Sequence, residues 1–79
     1  MYESTIEGKR HFVEERLEPL MKGMDPAIES VIYYTAPGIE SVIIQNKNPD
    51  KNLEVNVACD SVLALVYDVM LEYFEQLKY

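Results

Sequence analysis

Cys59 and His11 are the single cysteine and the single histidine of the chain, and they are its best candidates for covalent chemistry. Cys59 precedes the start of a predicted helix, where the helix dipole lowers the pKa of a thiol. With Asp60 or a nearby glutamate orienting the imidazole, the pair would resemble a cysteine–histidine nucleophile. Alternatively, Cys59 continues the inward alternation of Val55 and Val57 as a small buried apolar residue. We favour this interpretation and predict that the protein is not an enzyme, because no further polar groups converge on the pair.

Glu7, His11 and Glu15 are spaced i, i+4 and i+8 within a predicted helix. Carboxylates and an imidazole on one helical face are suitable ligands for a divalent metal. The same face also carries Lys9 and Arg10, which is typical of a solvated surface. The sequence contains no second metal motif, so we predict neither a metal site nor a cofactor.

The sequence also lacks the usual motif for binding phosphate groups. Gly8, Gly23 and Gly38 are isolated, so the chain has no glycine-rich phosphate loop. Lys47 and Lys51 flank a predicted turn, and two lysines do not by themselves make an anion site.

Length and charge restrict the possible partners. The chain has 79 residues, which predicts one domain over residues 1–79, and a net charge of −7. This charge disfavours binding to nucleic acids and to anionic membranes, both of which attract cationic surfaces. No apolar segment approaches the ~20 residues of a membrane span. The first residues do not resemble a signal peptide, and one cysteine cannot form an internal disulfide, so we expect a cytoplasmic protein.

A first helix is predicted over residues 4–22 from the spacing of its apolar residues. Ser4 and Glu7 have the spacing of a capping box. Pro19 lacks an amide hydrogen, so we expect a kink or a break there. Gly23 is a suitable terminator.

Three runs with the composition of strands follow, at residues 30–35, 41–46 and 53–58. They are rich in valine, isoleucine and tyrosine, and the third run begins with alternating apolar and polar residues. The segments 36–39 and 48–51 each contain a proline suited to the second position of a β-turn. Two hairpins are therefore predicted, and they form a three-stranded antiparallel meander with the second strand in the centre.

The register follows from centring each hairpin on its turn. This pairs Val31 with Ile44 in the first hairpin and Ile44 with Val55 in the second. Directly opposed residues share a face of the sheet. The predicted inward face carries Val31, Tyr33, Val42, Ile44, Val55 and Val57. The predicted outward face carries Ser30, Ile32, Tyr34, Ser41, Ile43, Gln45, Glu54 and Asn56.

The last helix is predicted over residues 61–77, with Asp60 or Ser61 as its N-cap. Its apolar residues cover more than half of its circumference, which exceeds what one small sheet and one neighbouring helix can bury. They are Val62, Leu63, Val66, Tyr67, Val69, Met70, Tyr73, Phe74 and Leu77. The predicted fold is an α+β two-layer sandwich of order α-β-β-β-α, with both helices on one face of the sheet.

This order of elements resembles that of the double-stranded-RNA-binding domain. That family contacts phosphates with a lysine-rich start to its last helix. The corresponding segment here, residues 60–65, contains no cation. The resemblance therefore implies the topology, and RNA binding is not predicted.

Two surfaces remain as candidates for contact with another protein. Tyr34 lies on the outward face of the predicted sheet beside Ile32 and Ile43. This group either packs across the strands or forms a small contact patch rimmed by polar residues. Together with the surplus apolar residues of the last helix, the predicted interface comprises Ile32, Tyr34, Ile43, Tyr67, Leu71, Tyr73 and Phe74.

We therefore predict an acidic protein–protein interaction module that forms a homodimer or binds one other protein. The alternative is a small acidic inhibitor of phage or plasmid type, which presents carboxylates to a nucleic-acid-binding protein in place of phosphates. Its predicted acidic face comprises Glu7, Glu14, Glu18, Asp68, Glu72 and Glu75.

Overall fold

The computed structural model describes residues 2–57 and 61–77 of the protein. Three α-helices, one π-helical segment, three strands and one 3-10 turn follow one another along these residues. In chain order they are α1 (Ile6–Phe12), the π segment (Val13–Leu17), α2 (Glu18–Met24), β1 (Ile28–Ala36), β2 (Ile39–Asn46), the 3-10 turn (Pro49–Lys51), β3 (Leu53–Asn56) and α3 (Val62–Leu77). The predicted α+β class and order of elements are confirmed, with the first predicted helix divided into α1, the π segment and α2.

The first helical region begins one residue later than the capping box predicted. Thr5, not Ser4, is the N-cap, and its Oγ1 accepts a hydrogen bond of 3.0 Å from the backbone N–H of Gly8. The chain does not break at Pro19, because the preceding residues widen into the π segment. A π turn shifts the hydrogen-bond partners by one residue, and such turns let a helix absorb local irregularities. The helix then continues past Gly23 to Met24.

The first hairpin has the predicted register. β1 and β2 are antiparallel, and Val31 pairs with Ile44. Two residues, Pro37 and Gly38, connect the strands. Gly38 has a φ of +76°, the left-handed region that the third position of a type II turn requires.

The second hairpin differs from prediction by two residues. Ile44 pairs with Leu53 instead of Val55. The expected bond from Lys51 N–H to the Asn48 carbonyl forms at 2.9 Å, but the turn continues for one more residue as a 3-10 turn. Asn52 Oδ1 also accepts from the Asn46 N–H at 2.7 Å, so the loop is closed asymmetrically. A shift of two residues keeps every side chain on its face, because side chains alternate with a period of two.

The core lies between the inward face of the sheet and the helices. All six residues predicted to face inward are buried, and they form one cluster with residues of the helices. The helical members of the cluster are Val13, Leu17, Met21, Leu65, Val69 and Tyr73. Both helical regions therefore cover the same face, and the outer face of the sheet carries no other layer among the described residues.

None of the described helices is both long and apolar enough to span a bilayer.

Candidate interaction surface on the last helix

Helix α3 carries two apolar faces. One face is buried in the core through Leu65, Val69 and Tyr73. The other is formed by exposed side chains with spacings of four, four, three and three residues. We call these residues the α3 stripe: Leu63, Tyr67, Leu71, Phe74 and Leu77. At 100° per residue the stripe spans about 120° of the helix, and its centre lies about 140° from that of the buried face.

The fold leaves the α3 stripe uncovered because α3 has few neighbours. It contacts β3 on one side and α1 on another. β3 is a four-residue edge strand, so no further strand extends the sheet beneath the helix. Leu63 consequently remains 80% exposed and Tyr67 67% exposed. Isolated surface apolar residues are ordinary, whereas a continuous row of large ones usually marks an interaction site.

Tyr73 was predicted to belong to the interface, and the structure shows that its side chain is buried. It lies four residues after Val69 on the inward face of α3. Its hydroxyl donates a 2.6 Å hydrogen bond to Asp25 Oδ2, next to the C-terminus of α2. Burial, and then the hydrogen bond to the Asp25 carboxylate, raise the pKa of Tyr73 to about 12. Tyr73 therefore joins α3 to the first helical region, and Leu63 and Leu77 belong to the exposed row instead.

A smaller apolar patch lies on the outer face of the sheet. Ile32 and Tyr34 are exposed there, and Ile43 is half-buried. Polar side chains beside the patch form hydrogen bonds between neighbouring strands, such as the 2.7 Å bond that Ser30 of β1 donates to Gln45 of β2. The three predicted residues of this patch thus share one face, but they offer less exposed apolar surface than the α3 stripe.

The six residues of the predicted acidic face have different roles. Glu7 forms a 2.8 Å ion pair with Arg10. Glu18 turns away from solvent, and its Oε2 accepts a 3.0 Å hydrogen bond from the backbone N–H of Val31 on the β1 edge. Because this N–H at the sheet edge already has an acceptor, it is not available to pair with another strand. Glu18 is therefore a structural residue and does not contribute to a free acidic surface.

The remaining four acidic residues keep their carboxylates available. Within residues 2–57 and 61–77 they take part in no ion pair. They are Glu14, Asp68, Glu72 and Glu75. On α3, Glu75 and Asp68 lie beside the α3 stripe, whereas Glu72 lies about 160° from its centre, next to the buried face.

Among the described residues, those considered for metal binding are not gathered into a site. Glu7 pairs with Arg10, and Glu15 accepts a 2.9 Å hydrogen bond from the Tyr2 hydroxyl. His11 is exposed between them. No group of three or more histidine, cysteine, aspartate or glutamate residues in the described segments is arranged to hold a metal. Cys59 and Asp60 lie outside the described residues.

A buried polar cluster between α1 and the first hairpin was missed in the sequence. Lys9 is 4% exposed, and its Nζ donates a 2.6 Å hydrogen bond to Glu40 Oε1. The Tyr33 hydroxyl donates to the same carboxylate oxygen. The Arg10 guanidinium lies 5.7 Å from the centre of the Tyr33 ring. Nothing in the spacing of these residues signals the cluster, because its members come from separate elements that only the fold brings together.

The charges in this cluster stabilise one another. The hydrogen bond from the Lys9 ammonium, and then that from Tyr33, lower the pKa of Glu40. The hydrogen bond with Glu40 raises the pKa of Lys9, against the opposing effect of burial. Burial, followed by the hydrogen bond to Glu40, raises the pKa of Tyr33. At neutral pH Lys9 and Tyr33 therefore keep their protons and Glu40 is ionised, so the cluster joins α1 to the first hairpin as a closed, charge-paired arrangement.

Comparison with known proteins finds no matching family model, no matching curated protein and no matching solved structure.

Proposed function

We propose that this protein is an interaction module that self-associates through the α3 stripe. The proposal depends on one observation, the row of large exposed apolar side chains on the face of α3 that points away from the core. Apolar area removed from water is the main favourable term in protein association. A second copy of the chain is the partner that the spacing of the row fits best.

The α3 stripe is nearly self-complementary when two copies of α3 pack antiparallel about a two-fold axis. With the axis at Leu71, Leu63 of one copy lies beside Leu77 of the other. Tyr67 then lies beside Phe74 of the other copy. A two-fold axis makes every contact occur twice, because residue i of one copy contacts residue j of the other and residue j contacts residue i. The matching of Leu63 with Leu77 and of Tyr67 with Phe74 meets this requirement.

The exposed area also suits a small dimer. Side chains of this size expose roughly 150–250 Å2 when free, so the fractions that remain exposed leave about 500 Å2 of apolar surface on each copy. A stable interface buries about 800 Å2 per partner, with an apolar core and a polar rim. The stripe provides such a core, and Glu75 and Asp68, which lie about 40° and 60° beyond its edge at 100° per residue, are at positions suited to the rim.

Light scattering coupled to size-exclusion chromatography over a wide concentration range tests the proposal. The wild-type protein is expected to give twice the monomer mass of 9.1 kDa. In a symmetric dimer Leu63→Ser removes two contacts, and at about 1.5–3 kcal/mol for each buried leucine the dimer should weaken at least a hundredfold. Leu20→Ser is the matched control, because Leu20 is also an exposed leucine, 54% exposed on α2, but lies outside the stripe.

A monomer at every concentration, or equal weakening by Leu63→Ser and Leu20→Ser, would refute self-association through this face. The stripe would then be a docking site for a different protein.

The acidic inhibitor remains a second candidate because Glu14, Asp68, Glu72 and Glu75 take part in no ion pair within the described segments. Available carboxylates on a compact scaffold can occupy a surface that binds phosphates. Competition with DNA for such a protein, lost at high salt, would support this function. Binding that is insensitive to salt would count against it.

A further inference from the structure

A cleft lies at one end of the molecule, between the turn after α2, the loop that connects β2 to β3, and the last turn of α3. Its volume is about 560 Å3, within the range typical of small-molecule sites. Lys47 and Lys51 contribute to its wall, although the protein as a whole carries a net charge of −7. The fold therefore brings two lysines to the wall of this cleft.

The carboxylate of Asp25, which lines the cleft, already accepts two hydrogen bonds. Asp25 Oδ2 accepts from the Tyr73 hydroxyl at 2.6 Å, and Asp25 Oδ1 accepts from the Ala27 N–H at 3.0 Å. Neither Lys47 nor Lys51 forms an ion pair with a residue in the described segments. Among the described residues, the charged side chains that line the cleft thus sum to one positive charge, and both ammonium groups are available as donors.

Side-chain amides add further donors to the same wall. Asn46, Asn48 and Gln76 also line the cleft. Asn46 Oδ1 accepts from the Asn48 N–H at 2.9 Å, and Asn48 Oδ1 accepts from the Asp50 N–H at 3.2 Å. Because the carbonyl ends of both asparagines are engaged by the loop, each has its NH2 group available for an acceptor.

The remaining wall is apolar. Ile44 is buried at the cleft, the ring of Tyr73 lies beside it, and Leu77 closes the side formed by α3. An apolar lining with a few polar groups gathered at one place is the usual composition of a ligand site. A ligand that matches both the apolar wall and the lysine-bearing wall has an apolar body and an anionic group at one end.

We propose that this cleft binds a small organic acid, with its carboxylate between Lys47 and Lys51 and its apolar body against Ile44 and Tyr73. Lysine ammonium groups form charge-assisted hydrogen bonds with a carboxylate, and the asparagine amides donate to the remaining lone pairs. The sequence did not predict the site, because Lys47 and Lys51 alone do not make one; α3 supplies the second wall.

Titration with sodium octanoate, followed by 1H–15N correlation spectra of the full chain, tests the proposal. Binding is expected at about 1 mM, which is reasonable for a ligand of this size. The backbone signals of Lys47 and Lys51, and the side-chain amide signals of Asn48 and Gln76, should shift together. The double variant Lys47→Gln/Lys51→Gln should weaken binding by about tenfold or more, because glutamine keeps a polar side chain and loses the charge.

Lys22→Gln is the matched control, because it removes a lysine charge that does not line the cleft. It should leave octanoate binding nearly unchanged, and 1-octanol should bind more weakly than octanoate. Equal binding of octanol and octanoate, or a double variant that binds octanoate like the wild type, would overturn the proposal. So would shifts confined to Leu63 and Tyr67, which would place the ligand on the α3 stripe.

Discussion

Raising the ionic strength is expected to tighten the dimer formed through the α3 stripe. Each copy carries a net charge of −7, and the molecule measures 31 × 24 × 19 Å along its principal axes. Two such charges with their centres about 24 Å apart repel by about 8 kcal/mol in water without salt. The apolar contact itself depends little on moderate salt, so screening of this repulsion dominates the response.

The size of the effect follows from the Debye length. It falls from about 30 Å at 0.01 M salt to about 3 Å at 1 M, so roughly half of the repulsion persists at the lower concentration and almost none at the higher. The dimer should therefore gain about 4 kcal/mol between these conditions, which is a decrease of roughly several hundredfold in its Kd.

Sedimentation equilibrium in sodium chloride from 0.01 to 1 M measures this Kd directly. The variant Glu75→Gln, which removes the acidic charge of α3 that lies nearest to the α3 stripe, should show a smaller dependence on salt. A dimer that dissociates as salt increases would refute the reasoning, because its contacts would then be mainly ionic. An unchanged Kd would show that the charges lie too far from the interface to matter.

Four predictions concern the fold that presents these surfaces. Lys9→Met should lower the free energy of unfolding, measured in urea, by about 1–3 kcal/mol, because it leaves the partly buried Glu40 carboxylate without its charged partner. The double variant Lys9→Met/Glu40→Gln should recover part of this loss, and no recovery would contradict a direct pair. The pKa of Glu40 is held below its usual 4.5, so its contribution to stability is present above pH 4.5 and is lost as the pH falls through the lowered value. In Lys9→Met, the urea midpoint of unfolding should therefore decrease less on acidification than it does in the wild type. Glu18→Ala should cost about 1–3 kcal/mol, because it leaves a buried edge amide without an acceptor, whereas Glu18→Gln keeps the acceptor and should cost less. The pKa of Tyr73 is raised to about 12, so its contribution is present below pH 10 and is lost as the pH rises toward 12; Tyr73→Phe should reduce that alkaline loss, and an identical alkaline curve would argue against the hydrogen bond to Asp25.

Local patterns in the sequence were sufficient to predict the elements and the faces of the sheet. The alternation of Leu53, Glu54 and Val55 has the period of a strand, and Pro37-Gly38 has the composition of a tight turn. These signals act over a few residues, so they are present in the sequence before any long-range contact forms. The register predicted for the second hairpin was wrong by two residues, but the predicted faces were still correct because a shift of two preserves the alternation of side chains.

The sequence by itself therefore determined the order of the elements, the inward face of the sheet and the surplus of apolar residues on the last helix. Only the tertiary structure decided which of those residues are surplus: it buried Tyr73 against Asp25 and left Leu63 exposed. It also decided that Glu18 caps an edge strand and that Lys9 meets Glu40 across 31 positions of sequence. The physical reason is that burial and pairing of a side chain depend on what the neighbouring element offers at that point, and spacing along one element carries no information about its neighbour.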